Sequence, residues 1–181
     1  MLSKILTGFL LVVGVSLGVC ACASDASATP QPPTIHYGED VCEFCGMIVS
    51  EERFAAGYVL QDGTERVFDD IGDMIQQYLR EPGQVAALFV HEYNEHTWIR
   101  AETAYYVHSD HLTTPMLSGL AAFAGEAAAQ QAAADLQGQV MQFEDLLTHY
   151  RQHPSTPFAP PEDGHNHSGM DMPDGDHAHS D

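Results

Sequence analysis

Residues 54–79 read Phe-Ala-Ala-Gly-Tyr-Val-Leu-Gln-Asp-Gly-Thr-Glu-Arg-Val-Phe-Asp-Asp-Ile-Gly-Asp-Met-Ile-Gln-Gln-Tyr-Leu. Residues 54–60 have the apolar and aromatic content of a strand. Gln61-Asp62-Gly63 is a turn, with Asp-Gly a strong hairpin signal, and residues 64–68 are the return strand. Asp69 or Asp70 then caps a helix running to about Leu79, because Ile71, Met74, Ile75 and Tyr78 recur at helical spacing. Glu81-Pro82-Gly83 ends it. Residues 85–91 form another strand, and residues 97–99 and 104–107 are candidates for short ones. The order strand, strand, helix, strand predicts a mixed α+β unit rather than a helical bundle or a β-sandwich.

Downstream the pattern repeats more faintly. Residues 119–123 suit a strand, residues 126–136 an Ala- and Gln-rich helix ended by Gly138, residues 139–143 a strand, and residues 144–150 a last helix. Two small units are therefore expected within a domain spanning residues 38–152, dividing at about 108/109. Upstream, residues 22–37 are small, polar and Pro-rich, the composition of a tether. Residues 153–181 hold Pro, Gly, Asp and His with almost no apolar bulk, so they are expected to be disordered.

The first 21 residues read as an export signal: Lys4 near the start, then an apolar run from Ile5 to Val19. That run falls short of the ~20 residues a membrane-spanning helix needs. Val19-Cys20-Ala21-Cys22 fits the end of a bacterial lipoprotein signal, with Cys22 as the lipidated residue. Cys20 fits less well, because Val19 is large for the position before the cut. With Cys22 capped, a lipid anchor is expected to hold the protein to a membrane, facing the periplasm. Ala23 and Ser24 supply no inner-membrane retention Asp, which favours the outer membrane over the inner.

Charge narrows the function classes. The chain has 26 Asp+Glu against 6 Lys+Arg and a formal charge of -20. Such a surface excludes nucleic-acid backbones and anionic headgroups as the main target. Four cysteines are too few to staple a domain of this size.

Cys42-Glu43-Phe44-Cys45-Gly46-Met47 is the strongest local signal, and three chemistries compete for it. A thioredoxin-like redox pair needs a helix starting at the cysteines, and no helical pattern starts there. A zinc site needs further ligands, which His91, His96, His108 or His111 could supply. Cu(I) prefers soft thiolate and thioether donors, and Met47 lies two residues past Cys45. Met116, in Thr114-Pro115-Met116, could add a second thioether. A second cluster lies in the tail, where His165, His167, His177 and His179 flank Met170 and Met172. Imidazole suits Cu(II), Ni and Zn, and thioether suits Cu(I), so the mixture points to copper. The acidic run Asp69, Asp70, Asp73 matches no calcium loop, and helix capping explains at least one of its members. No local motif supports a catalytic triad or a phosphate-binding loop, so no enzyme activity is expected.

Together these blocks resemble the NosL family of copper-binding lipoproteins, accessory to nitrous-oxide reductase. The resemblance rests on Cys42-x-x-Cys45-Gly46-Met47, then Phe68-Asp69-Asp70-x-Gly72-x-Met74, then Trp98-x-x-Ala101-x-x-Ala104-x-Tyr106-Val107. Thr114-Pro115-Met116 with Gly119, Ala122 and Phe123 completes it. Leu117 stands where the family usually has Gly. The resemblance implies two related α+β units and one bound Cu(I). It also implies delivery to maturation machinery comprising a membrane ABC-type transporter and a periplasmic partner. Carried over residue by residue, Cys45 and Met47 are the first ligand candidates and Met116 the next. Cys42 is a ligand or a reserve thiol. The alternatives are a thiol–disulfide exchange protein using Cys42 and Cys45, or a zinc-stabilised binding module.

Overall fold

A computed structural model describes residues 29–154. The export signal, Cys20, Cys22 and the tail with its His and Met residues lie outside the described residues.

The hairpin and helix expected at residues 54–79 are present. Strand β1 is Ala56–Leu60, β2 is Glu65–Phe68 and helix α1 is Ile71–Arg80. Gly63 takes φ 87° in the turn, and the Thr64 amide donates to Asp62 Oδ1, so each residue of the Asp-Gly signal is used. Asp70 is the helix cap, accepting from the Gly72 amide. The chain continues through β3 (Val85–His91) and β4 (Trp98–Arg100). All four strands form one antiparallel sheet in the order β2-β1-β3-β4.

The second unit has β5 (Tyr105–His108), β6 (Leu120–Phe123), helix α2 (Glu126–Asp135), β7 (Gln139–Gln142) and helix α3 (Phe143–Gln152). Its sheet has the order β6-β5-β7, also antiparallel. Each unit thus runs strand, strand, helix, strand, with its first strand in the middle. The faint echo in the sequence is an echo of topology. The expected division at 108/109 is corrected, because β5 pairs with β6 and β7 and belongs to the second sheet. The boundary falls just ahead of Tyr105. A four-residue strand carries no local mark of which sheet it will join; its partners lie far along the chain.

Side chains alternate between two cores. Tyr106, Leu120 and Ala122 of the second sheet join Tyr58, Phe68, Met74, Ile75, Leu88 and Val90 in the main core, where Leu146 and Leu147 of α3 also lie. Val107, Ala121 and Phe123 point the other way, onto Ala129 and Ala133 of α2. That alternation is the period of two that strand geometry imposes. The small alanines of α2 let that helix lie close to the sheet.

Part of the segment assigned as a tether, residues 22–37, packs on the domain instead. Pro33 is buried and Ile35 packs against the main core. A Cβ at Gly57 would stand 2.4 Å from the Pro33 ring, so the missing side chain on β1 makes room for it. Proline-rich composition describes a segment that cannot hydrogen-bond in a sheet. It does not prevent that segment from covering an apolar face.

Candidate metal centre

The Cys42–Met47 loop sits on a small arm. An antiparallel bridge joins Val41 to Ile48, and the Cys42 amide donates to the Met47 carbonyl at 2.8 Å. The Gly46 amide closes the loop onto the Cys42 carbonyl at 3.0 Å, and Gly46 takes φ 73°, where a side chain would be strained. The Glu43 amide ties the loop to Val67 of β2 at 3.0 Å. As a result Cys42 and Cys45 point inward and are buried, whereas Met47 is 53% exposed.

Helix α1 brings a third group to the thiols. Cys42 Sγ donates to Asp73 Oδ2 at 3.4 Å, and the donor atoms of Cys42, Cys45 and Asp73 all lie within 4.8 Å of one another. Both cysteines are unpaired. Burial raises both thiols above their ordinary value, Cys45 strongly, so they are protonated at neutral pH. Burial also raises the Asp73 carboxyl to about 6, with hydrogen bonds from the two thiols opposing the rise and Asp70 reinforcing it.

In front of the thiols lies a cleft of about 660 Å³, lined among others by Cys45, Met47, Asp73, His108, Met116 and His149. Three of the four residues expected to act at the site, Cys45, Met47 and Met116, therefore line one cleft, with Cys42 behind Cys45. Met116 comes from the other unit, on the loop between β5 and β6. That loop is held by Asp70, whose Oδ2 accepts from the Thr114 hydroxyl at 2.6 Å and from the Met116 amide at 3.1 Å. Its Oδ1 caps α1 through the Gly72 amide at 2.8 Å. One buried carboxylate thus joins the two units at the cleft. Gly72 lets them approach, since a Cβ there would lie 2.4 Å from Tyr150 Oη and 2.7 Å from Ser118 Cβ. Leu117 holds φ 59°, so the left-handed turn favoured by glycine is kept by a leucine whose side chain is 79% exposed.

The histidines divide. His108 reaches the cleft. His91 is buried with Nδ1 against the Ala55 carbonyl at 3.0 Å and its ring stacked on Trp98, 3.7 Å between centroids. His96 pairs with Glu52 at 3.3 Å, and the His111 amide is bound to Ser109 Oγ at 3.0 Å. None of these three lines the cleft. Asp73 and His149 line the cleft as well, and neither belongs to the ligand set expected from the sequence. Asp73 is legible as one turn past the helix cap, on the face that α1 turns toward its cap partner. His149 carries no local signal.

The two-unit α+β domain thus gathers one buried thiol, two thioethers and a carboxylate on one open cleft, with a second thiol behind, a donor set whose sulfurs suit a soft metal ion. The chain belongs to the NosL family, whose model matches residues 33–150. It is 28% identical over 156 residues to the copper-binding lipoprotein NosL of Stutzerimonas stutzeri, covering 80% of this chain and 82% of that one. Its fold resembles the crystal structure of the copper chaperone NosL from Shewanella denitrificans, with TM-score 0.55 and 21% identity. That match covers 64% of this chain and 95% of the other. No helix among the described residues is long and apolar enough to cross a membrane.

Proposed function

We propose that this protein carries one Cu(I) in the cell envelope and surrenders it by ligand exchange, without catalysing a reaction. The observation that carries the reading is the convergence of Cys45, Met47 and Met116 on one cleft, with Cys42 and Asp73 directly behind. Thiolate and thioether sulfurs select Cu(I) over harder ions. Cys45 and Met47 hold the ion at the open side, Met116 closes over it from the second unit, and Cys42 is a further thiolate within reach. The relatives' names support copper as the cargo. Exposure of Met47 leaves a position from which a partner's sulfur can attack, so the ion passes through a shared intermediate.

The client is nitrous-oxide reductase, reached through its ABC-type transporter and a periplasmic partner. The lipid on Cys22 holds the carrier at the periplasmic face of the outer membrane. The acidic surface speeds encounter with a basic partner face. The His/Met tail raises copper concentration near the cleft, as a tethered second binder does.

An anaerobic Cu(I) titration of the full-length chain against a competing chelator tests this reading. One tight equivalent is expected, lost in Cys45→Ser and weakened at least tenfold in Met47→Ala. Tight binding that survives Cys45→Ser refutes it. A disulfide-exchange role is disfavoured, because buried thiols with raised pKa supply little attacking thiolate. Zinc is the second reading, supported by the Cys42, Cys45 and Asp73 donor trio. If zinc is structural, its removal unfolds the domain.

A further inference from the structure

A group of imidazoles stands beside the sulfur donors and is chemically unlike them. His149 and His153 are four residues apart at the end of α3, and His108 ends β5 on the cleft wall. Their ring centroids are 4.8 Å apart for His149 and His153, and 5.7 Å apart for His108 and His149. With metal–nitrogen bonds of about 2.0–2.1 Å, two rings on one ion have centroids roughly 5–6 Å apart. The His108–His149 spacing falls in that range, and the His149–His153 spacing lies just below it.

Local chemistry prepares these rings. His153 Nδ1 lies 3.0 Å from the His149 carbonyl. Donation to that oxygen puts the proton on Nδ1 and leaves Nε2 as a free lone pair, the arrangement that orients ligand histidines. His153 is exposed and the other two are half-buried, so rotation about the side-chain bonds can turn their nitrogens onto one ion.

We propose that His108, His149 and His153 form a second metal site, for a divalent first-row ion bound through imidazole nitrogen. Cu(II) binds such a donor set most tightly of that series. His108 and His149 line the same cleft as the sulfurs, but the site uses no sulfur ligand, so its failure is told apart from failure of the Cu(I) reading by the ion and the probe.

Ni(II), which suits imidazole and does not react with thiols by electron transfer, is the probe. The full-length chain is kept in detergent micelles, with His165, His167, His177 and His179 each changed to Gln to remove the tail's imidazoles. Ni(II) is added below one equivalent while the ring resonances of nitrogen-15-labelled histidine are followed. The signals of His108, His149 and His153 are expected to broaden before any others. Ni(II) affinity is expected to fall at least tenfold when His149→Gln and His153→Gln are combined. Broadening centred on His36, His91, His96 or His111 would overturn the proposal. So would unchanged Ni(II) affinity in the double variant. The broadening map needs no variant in the fold and stands even if the double variant is unstable.

Discussion

Asp70→Asn tests whether one carboxylate couples the two units. The native side chain caps α1 with Oδ1 and accepts from both Thr114 and the Met116 amide with Oδ2. Asparagine keeps one oxygen, which can retain the cap. Its amide then faces two donors. The Thr114 hydroxyl can rotate and accept, and Ser118 Oγ stands 3.3 Å away to take its proton. The Met116 N–H cannot reverse its role. An unsatisfied amide in this part-buried position costs about 1–3 kcal/mol. For a domain of this size that lowers the melting midpoint by about 3–15 °C. Loss of the bond also frees the Met116 loop, so Cu(I) affinity is expected to fall while Cys42 and Cys45 stay in place. A double-mutant cycle with Thr114→Val isolates the contact, and a coupling of about 0.5–3 kcal/mol is expected for a shared buried bond. Midpoint and Cu(I) affinity both equal to those of the native chain would show that the loop is held by something other than Asp70.

Three further outcomes follow from the site. Asp73 is raised from 3.8 to about 6 in the folded chain, so the folded state binds its proton more tightly than the unfolded one. Its contribution is therefore favourable below 3.8 and lost as pH rises to about 6. Asp73→Asn should raise metal-free stability at neutral pH by about 1–2 kcal/mol and remove that slope, as read by urea unfolding across the range. An unaltered slope would contradict the assignment. Because both thiols are protonated when empty, Cu(I) binding should release protons. Apparent affinity should then rise about tenfold or more per pH unit between roughly pH 6 and 8, and a flat profile would mean that no thiol gives up a proton. Gly72→Ala should destabilise the chain by about 1–3 kcal/mol by forcing Tyr150 and the Ser118 loop away, measured by thermal unfolding.

The two units bear the site unequally. Phe68 ends β2 and α1 starts at Ile71; Phe123 ends β6 and α2 starts at Glu126. At the matching cap positions stand Asp70, which hydrogen-bonds, and Gly125, which has no side chain to do so. One turn further, Asp73 in α1 matches Ala128 in α2. The first unit retains the polar groups and the second supplies the loop they hold. An exchange of Asp70 for glycine in the first unit would therefore remove both the helix cap and the anchor of Met116.

Local chemistry makes much of this protein legible along the chain itself. The Asp-Gly turn, the Asp70 cap and the helix from Ile71 depend on residues a few positions apart, and sequence carries such relations directly. The Cys42–Met47 loop announces soft-metal chemistry for the same reason. Tertiary structure alone decides which sheet β5 joins, because its partners are remote in sequence. It alone decides that Pro33 covers Gly57, since that contact depends on an absent Cβ. It also places Asp73 against Cys42, Met116 on the same cleft as Cys45, and His149 between His108 and His153. Those neighbours are joined by packing of separate elements onto a common core, and no spacing along the chain records which faces will meet.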